Sequence, residues 1–136
     1  RMEPLRGMKQ LQMLSLVAPR VTDAGLEYLK ALTQLKALGL RTTQITDVGL
    51  RHLTGMTQLV QLDLTGTQVT DVGLEHLHGL TQLRWLLLSD TAVTDAGLEH
   101  LQGLTQLQRL DLDQTKVTEE GVRRLQQALP NCEIKR

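Results

Sequence analysis

Three histidines, His52, His76 and His100, recur every 24 residues, and Asp23, Asp47, Asp71 and Asp95 recur at the same spacing, continued by Glu119. A row of imidazoles invites a metal reading, and a row of carboxylates invites a calcium track. Zinc holds its ligands at about 2.0–2.1 Å, whereas groups on neighbouring helices stand about 10 Å apart. The histidines therefore read as solvated helix surface, a position that Tyr28 and Arg124 fill in the outer copies. His78 belongs to an exposed helix end and has no obvious partner. Each aspartate follows a threonine where a helix should start. There its charge suits the helix dipole and the free amides of the first turn.

Nucleophilic chemistry finds no better footing. Cys132 is the only cysteine, so no intrachain disulfide can form. No base can be placed beside it to raise its reactivity. It reads as a small core residue of the closing segment. The chain contains no G-x-S-x-G, P-loop, C-x-x-C or H-E-x-x-H motif. The expectation is a protein that is not an enzyme, with no cofactor and no metal.

The ladders are by-products of a larger regularity. Leu35, Leu59, Leu83 and Leu107 each open the pattern L-x-x-L-x-L, followed by T-x-V/I-T-D-x-G-L-x-x-L and G-L/M-T-Q; Leu11 opens an earlier copy. A fixed period of this length signals a stack of similar units. In the copy from Leu59 to Gln82, Leu62 and Leu64 share one strand face, while Gln61, Asp63 and Thr65 point the other way. Thr67 ends the strand, and its hydroxyl can satisfy a backbone group in the turn. Thr70 reads as a helix N-cap before Asp71. Leu74 and Leu77 share the buried stripe of about two helical turns. Gly79 reads as the left-handed residue closing that helix. So short a helix is not stable alone; the units must stack, giving a parallel sheet on one side and helices on the other. Helices need about 10 Å and strands roughly 4.8 Å, so the stack curves with the sheet on its concave side.

Bulk composition limits the partners. The chain has 136 residues, with 15 basic and 15 acidic side chains and no basic run. No strong field draws it to nucleic acid or membrane. No apolar stretch approaches the roughly 20 residues of a membrane span, and no secretory signal pattern occurs; the expected location is cytoplasmic. Tyr28 and Trp85 are the only aromatic residues, so the core must be aliphatic and uniform.

Outward strand positions line up in rows across the stack. The first is Met13, Ala37, Gln61, Trp85 and Arg109; the second is Ser15, Gly39, Asp63, Leu87 and Asp111; the third is Val17, Arg41, Thr65, Ser89 and Asp113. Core positions barely vary between copies, while these rows vary completely. Trp85 and Leu87 on a solvent-facing surface need a reason, and Trp is enriched among interface hot spots. Asp63, Asp90, Asp111 and Asp113 surround the pair with negative charge. Trp85, Leu87, Arg109, Asp63, Asp111 and Asp113 are the candidate partner-binding residues. In the competing reading, Arg109 lies across Trp85 and shields it by a cation–π contact. The two readings are compatible.

These motifs resemble the leucine-rich repeat family over essentially the whole chain. The T-D-x-G-L segment, as in Thr46-Asp47-Val48-Gly49-Leu50, is similar to that of the cysteine-containing subtype and of bacterial repeats of 24 residues. Thr43, Thr67, Thr91 and Thr115 stand where that subtype has cysteine, and a bacterial origin is expected. The resemblance implies an α/β solenoid that recognises a protein or peptide on its concave face without catalysis. A structural spacer or end-cap in a larger protein, or a designed repeat scaffold, is the alternative.

The expected organisation is a partial repeat over 1–10, five repeats over 11–130 and a closing strand over 131–136. Pro19 and Arg20 make the first full repeat irregular. Glu119, Val122 and Gln127 replace the usual Asp, Leu and Gly of the last one, so its helix should run on to about Leu129. This end looks like a natural terminus and the front looks cut, as expected of the terminal part of a longer protein. The uncovered first strand suggests weak self-association through that edge.

Overall fold

The alternation of Leu62 with polar neighbours dictates a strand, and its five copies give five strands in one register. A computed structural model describes residues 2–136; Arg1, in the partial repeat, lies outside them. The strands are β1 (Met13–Ser15), β2 (Ala37–Gly39), β3 (Gln61–Asp63), β4 (Trp85–Leu87), β5 (Arg109–Asp111) and β6 (Glu133–Lys135). They form one parallel sheet in the order of the sequence. Leu14, Leu38, Leu62, Leu86, Leu110 and Ile134 stand side by side across it. The wider helical side curves this open solenoid, with the sheet on the concave face.

The return segments hold α1 (Asp23–Leu26), α2 (Asp47–Leu50), α3 (Asp71–Leu74), α4 (Asp95–Leu98) and α5 (Glu119–Ala128). The first four are single α-turns that tighten into 3-10 helix, as in Glu75–Leu77 after α3. The sequence reading expected two helical turns; the second is 3-10, which rises further per residue and spans the return with fewer residues. Only α5, where the repeat pattern breaks, runs as a longer α-helix.

Leucines fill the space between the layers. Leu62, Leu64, Leu74, Leu77 and Leu80 are fully buried, like their counterparts in the flanking repeats. The core thins at the front, where Leu11, Leu14 and Leu16 are half-buried and Met13, on the outermost strand of the described sheet, is 73 % exposed. Thr43, Thr67, Thr91 and Thr115 each donate a hydroxyl hydrogen bond to the carbonyl three residues back, at 2.6–2.7 Å. That bond satisfies the carbonyl where the strand ends. Gly79 is not left-handed. Positive φ falls instead at Thr42, Gly66, Asp90 and Gln114, the same position in four of the five repeats, just past the strand. The chain turns sharply there, whereas Gly79, in the turn after the 3-10 segment Glu75–Leu77, stays outside the positive-φ region.

The aspartates do more than start helices. Both oxygens of Asp47 accept hydrogen bonds from Thr70 of the next repeat, from its backbone N–H at 2.7 Å and its hydroxyl at 2.5 Å. Asp23 with Thr46, Asp71 with Thr94 and Asp95 with Thr118 repeat the arrangement. The Thr hydroxyl in turn accepts from the first turn of its own helix, as the N-cap reading requires. A Cβ on Gly49, Gly73, Gly97 or Gly121 would collide with the aspartate of the preceding repeat. The glycine of T-D-x-G-L is thus the space the carboxylate needs. Glu119 has no such threonine after it and pairs with Arg136 at 3.5 Å instead.

Leu62→Ala should cost about 2–5 kcal/mol, because it opens a cavity between three packed repeats. Gln61→Ala, one position along and exposed, should change stability by less than about 0.5 kcal/mol. Chemical denaturation of the two variants checks the register; a loss under about 1 kcal/mol for Leu62→Ala would contradict it.

Candidate functional site

Strand alternation sends one residue in two to the open face, and parallel pairing sets these residues side by side. Gln61, Trp85 and Arg109 are direct neighbours, as are Asp63, Leu87 and Asp111. Trp85 is 39 % exposed and Leu87 is half-buried. Trp85, Leu87, Arg109 and Asp111 line one depression of about 370 Å³ with Gln61. Asp113 lies in an adjoining depression of about 380 Å³, which shares Leu87 and Asp111 and adds Asp90. Asp63 falls on the other side, in a hollow of about 260 Å³ with Met13, Ala37 and Gly39. Four of the six candidate residues therefore meet in one place, and the other two flank it.

Two of the acids also have a local duty. Asp63 accepts the Thr65 backbone N–H at 2.9 Å, and Asp111 accepts the Asp113 N–H at 3.0 Å. Each thereby pins the turn that follows its strand. Leu87 occupies the equivalent slot on β4 and can make no such bond, so the fold does not require that side chain there. The shielding of Trp85 in the competing reading is not formed among the described residues. Among the described residues the cation–π contact is Arg6 over Tyr28, at 4.9 Å from the ring centre, and none joins Arg109 to Trp85. Arg109 borders the tryptophan without covering it. Gln61 and Asp90 complete the surface; Gln61 was visible in the first row of strand positions, and the position of Asp90 depends on the turn.

On the helical side, one histidine departs from the sequence reading. His52 is buried, only 9 % exposed, and its Nδ1 has no hydrogen-bond partner. His76 and His100 are half-buried. The 3-10 segment before His52, Glu27–Ala31, has five residues where the later ones have three, so the helical side differs in front of this histidine alone. Burial, followed by the charges of Lys30 and Arg51, lowers the His52 pKa from 6.5, against the pull of Glu27 and Asp23. Among the described residues no group of three His, Cys, Asp or Glu is placed to hold a metal ion. Cys132 is buried, and burial, then Glu133, pushes its thiol up to about 11. A thiol so rarely ionised is a poor nucleophile. The Thr118 hydroxyl, then its backbone N–H, holds the Asp95 carboxyl below the usual range.

The His52 shift has a sign that can be measured. Its folded pKa lies below the unfolded value of 6.5, so the unfolded chain takes up the proton first. The stability held by neutral His52 is complete above that value and is lost as pH falls through the folded pKa. His52→Leu should flatten the fall in melting temperature on acidification below pH 6.5. Identical pH profiles for the two proteins would refute the assignment.

Comparison with known proteins agrees with this geometry. The family model described as leucine rich repeat matches residues 33–93 and 61–117. No curated protein gives a significant match. Among solved structures, internalin InlF of Listeria monocytogenes superposes with a TM-score of 0.84 at 28% identity, covering 99% of this chain and 37% of its own. Internalin C2 of the same organism gives 0.80 at 29% identity, covering 98% and 54%. A leucine-rich repeat protein of Leptospira interrogans shares the fold, with a TM-score of 0.65 at 24% identity over 97% of this chain and 38% of its own. The chain thus spans about a third to a half of the length of these proteins, all of them bacterial, in keeping with the expected origin. Leucine-rich repeats generally serve as non-enzymatic protein-interaction modules. From the repeat pattern, the parallel sheet and the family match, the chain belongs to the leucine-rich repeat family.

Proposed function

We propose that this chain is a non-catalytic recognition module that binds a protein or peptide partner on its concave sheet, with Trp85 as the anchor. The observation that carries the reading is the exposed Trp85, set beside Leu87 and bordered by Arg109 and Asp111 in one depression. An apolar centre with polar groups at its border is how protein interfaces are built. Asp63, Asp111 and Asp113 supply negative charge around it, which acts mainly on association rate and salt dependence. Neither nucleic acid nor a membrane surface suits this combination.

Truncating a buried Trp hot spot costs at least about 2 kcal/mol, or roughly 30-fold in affinity. Trp85→Ala should therefore lose a partner that the unaltered chain retains in a pull-down, with the fold checked by circular dichroism. Equal recovery by both would move the site to the helical side or the loops. Recovery of no partner by either would favour a structural spacer or end-cap.

A further inference from the structure

We infer, resting on the concave-face reading above, that the segment recognised is extended and basic. It seats an apolar side chain on Trp85 and Leu87 and delivers an Arg or Lys, two residues away, to Asp90, Asp111 and Asp113.

The two depressions behind this inference adjoin each other and differ in chemistry. The first has Trp85 and Leu87 in its wall; the second has three aspartates; Leu87 and Asp111 belong to both. None of these carboxylates has a salt-bridge partner among the described residues. The ion pairs found there join Glu120 to Arg123 and Arg124, and Glu119 to Arg136, at the far end of the chain. Asp111 commits one oxygen to the Asp113 amide and keeps the other open. Arg41 is the basic side chain lining the second depression, three strand positions from Asp113 and about 14 Å away. Arg109 lines the first and Lys135 stands level with Asp111 on β6, and neither forms an ion pair with these carboxylates among the described residues. The chain as a whole carries no net charge, so this excess of negative charge is local.

A partner that covers these carboxylates removes them from water, which is costly unless it brings the opposite charge. Phosphate-bearing partners, such as nucleic acid or anionic lipid, would add repulsion. A cation fits, and a guanidinium fits better than an ammonium because its five N–H groups can reach more than one carboxylate.

Spacing fixes the rest. Asp111 is level with Leu87 across the sheet, and Asp113 lies two residues further on, about 7 Å along the strand direction. In an extended partner, residues two apart face the same way at the same spacing of about 7 Å. An apolar residue over Leu87 and Trp85 thus places its second neighbour over the aspartates.

Trp85 is the only tryptophan, so its fluorescence reports on this surface alone. Three synthetic peptides serve as probes: Gly-Ser-Leu-Ser-Arg-Ser-Gly, the same with Glu for Arg, and the same with Ala for Leu. Titrated against the intact chain at low salt, the Leu/Arg peptide should half-saturate at a concentration roughly tenfold below that of the Glu peptide. The Ala peptide should bind more weakly than its Leu parent. High salt should narrow the charge gap. So should the double substitution Asp90→Asn with Asp113→Asn, which leaves the Asp111 turn bond intact; Asn also suits the left-handed backbone at residue 90. Equal binding of the Arg and Glu peptides, or tighter binding of the Glu peptide, would overturn the basic-segment inference and leave the Trp85 anchor standing. No saturable change with any of the three at millimolar concentration would overturn both.

Discussion

The hydrogen-bonded lock between an aspartate and a threonine 23 residues later sets the geometry of the helical side. Leucine layers alone supply adhesion without address, since burial is roughly proportional to area and indifferent to direction. The Asp47 carboxylate meets two donors of Thr70 at once, and two bonds to one group fix both distance and orientation. The threonine hydroxyl carries the constraint into the next helix by capping it. The glycine two residues past each aspartate leaves room for the carboxylate of the repeat before. Three residue types in one short motif therefore join neighbouring repeats, while backbone ladders join their strands.

A scaffold held from inside and from the helical side leaves its sheet face free to vary. Leu62 is enclosed by its neighbours and has no latitude, whereas Gln61 and Asp63 on either side of it face outward. The freedom is incomplete, because Asp63 and Asp111 also pin the turns after their strands. Leu87 marks the contrast: in the same slot it makes no turn bond, and it adds apolar surface beside Trp85. A side chain that the fold does not need, next to an exposed tryptophan, is where a recognition reading has most purchase.

Much of the fold was legible because the period is strict and the chemistry local. The register of Leu14 through Ile134, the inward threonine hydroxyls and the extension of the last helix all follow from contacts within one repeat or between identical positions. The aspartate was only half legible: its place at the helix start was visible, but its donors belong to the next repeat, and local reasoning assigned its oxygens to its own helix. His52 could not be distinguished from His76 and His100, since its burial accompanies a longer 3-10 segment in the repeat before it. Gly79 misled because a glycine after a short helix suggests a left-handed cap, yet the sharp bend lies at Gly66 and its counterparts. The rows of the candidate site followed from strand alternation. Whether Arg109 covers Trp85 is set by side-chain rotamers, which no spacing records.

The lock itself can be measured by a double-mutant cycle on Asp47→Ala and Thr70→Ala, read by equilibrium denaturation. A carboxylate bonded to a hydroxyl across two repeats should show a coupling of about 1–3 kcal/mol. The double variant should then lose less stability than the two single losses added together. Strict additivity, within about 0.3–0.5 kcal/mol, would mean that the leucine layers set the register without the lock.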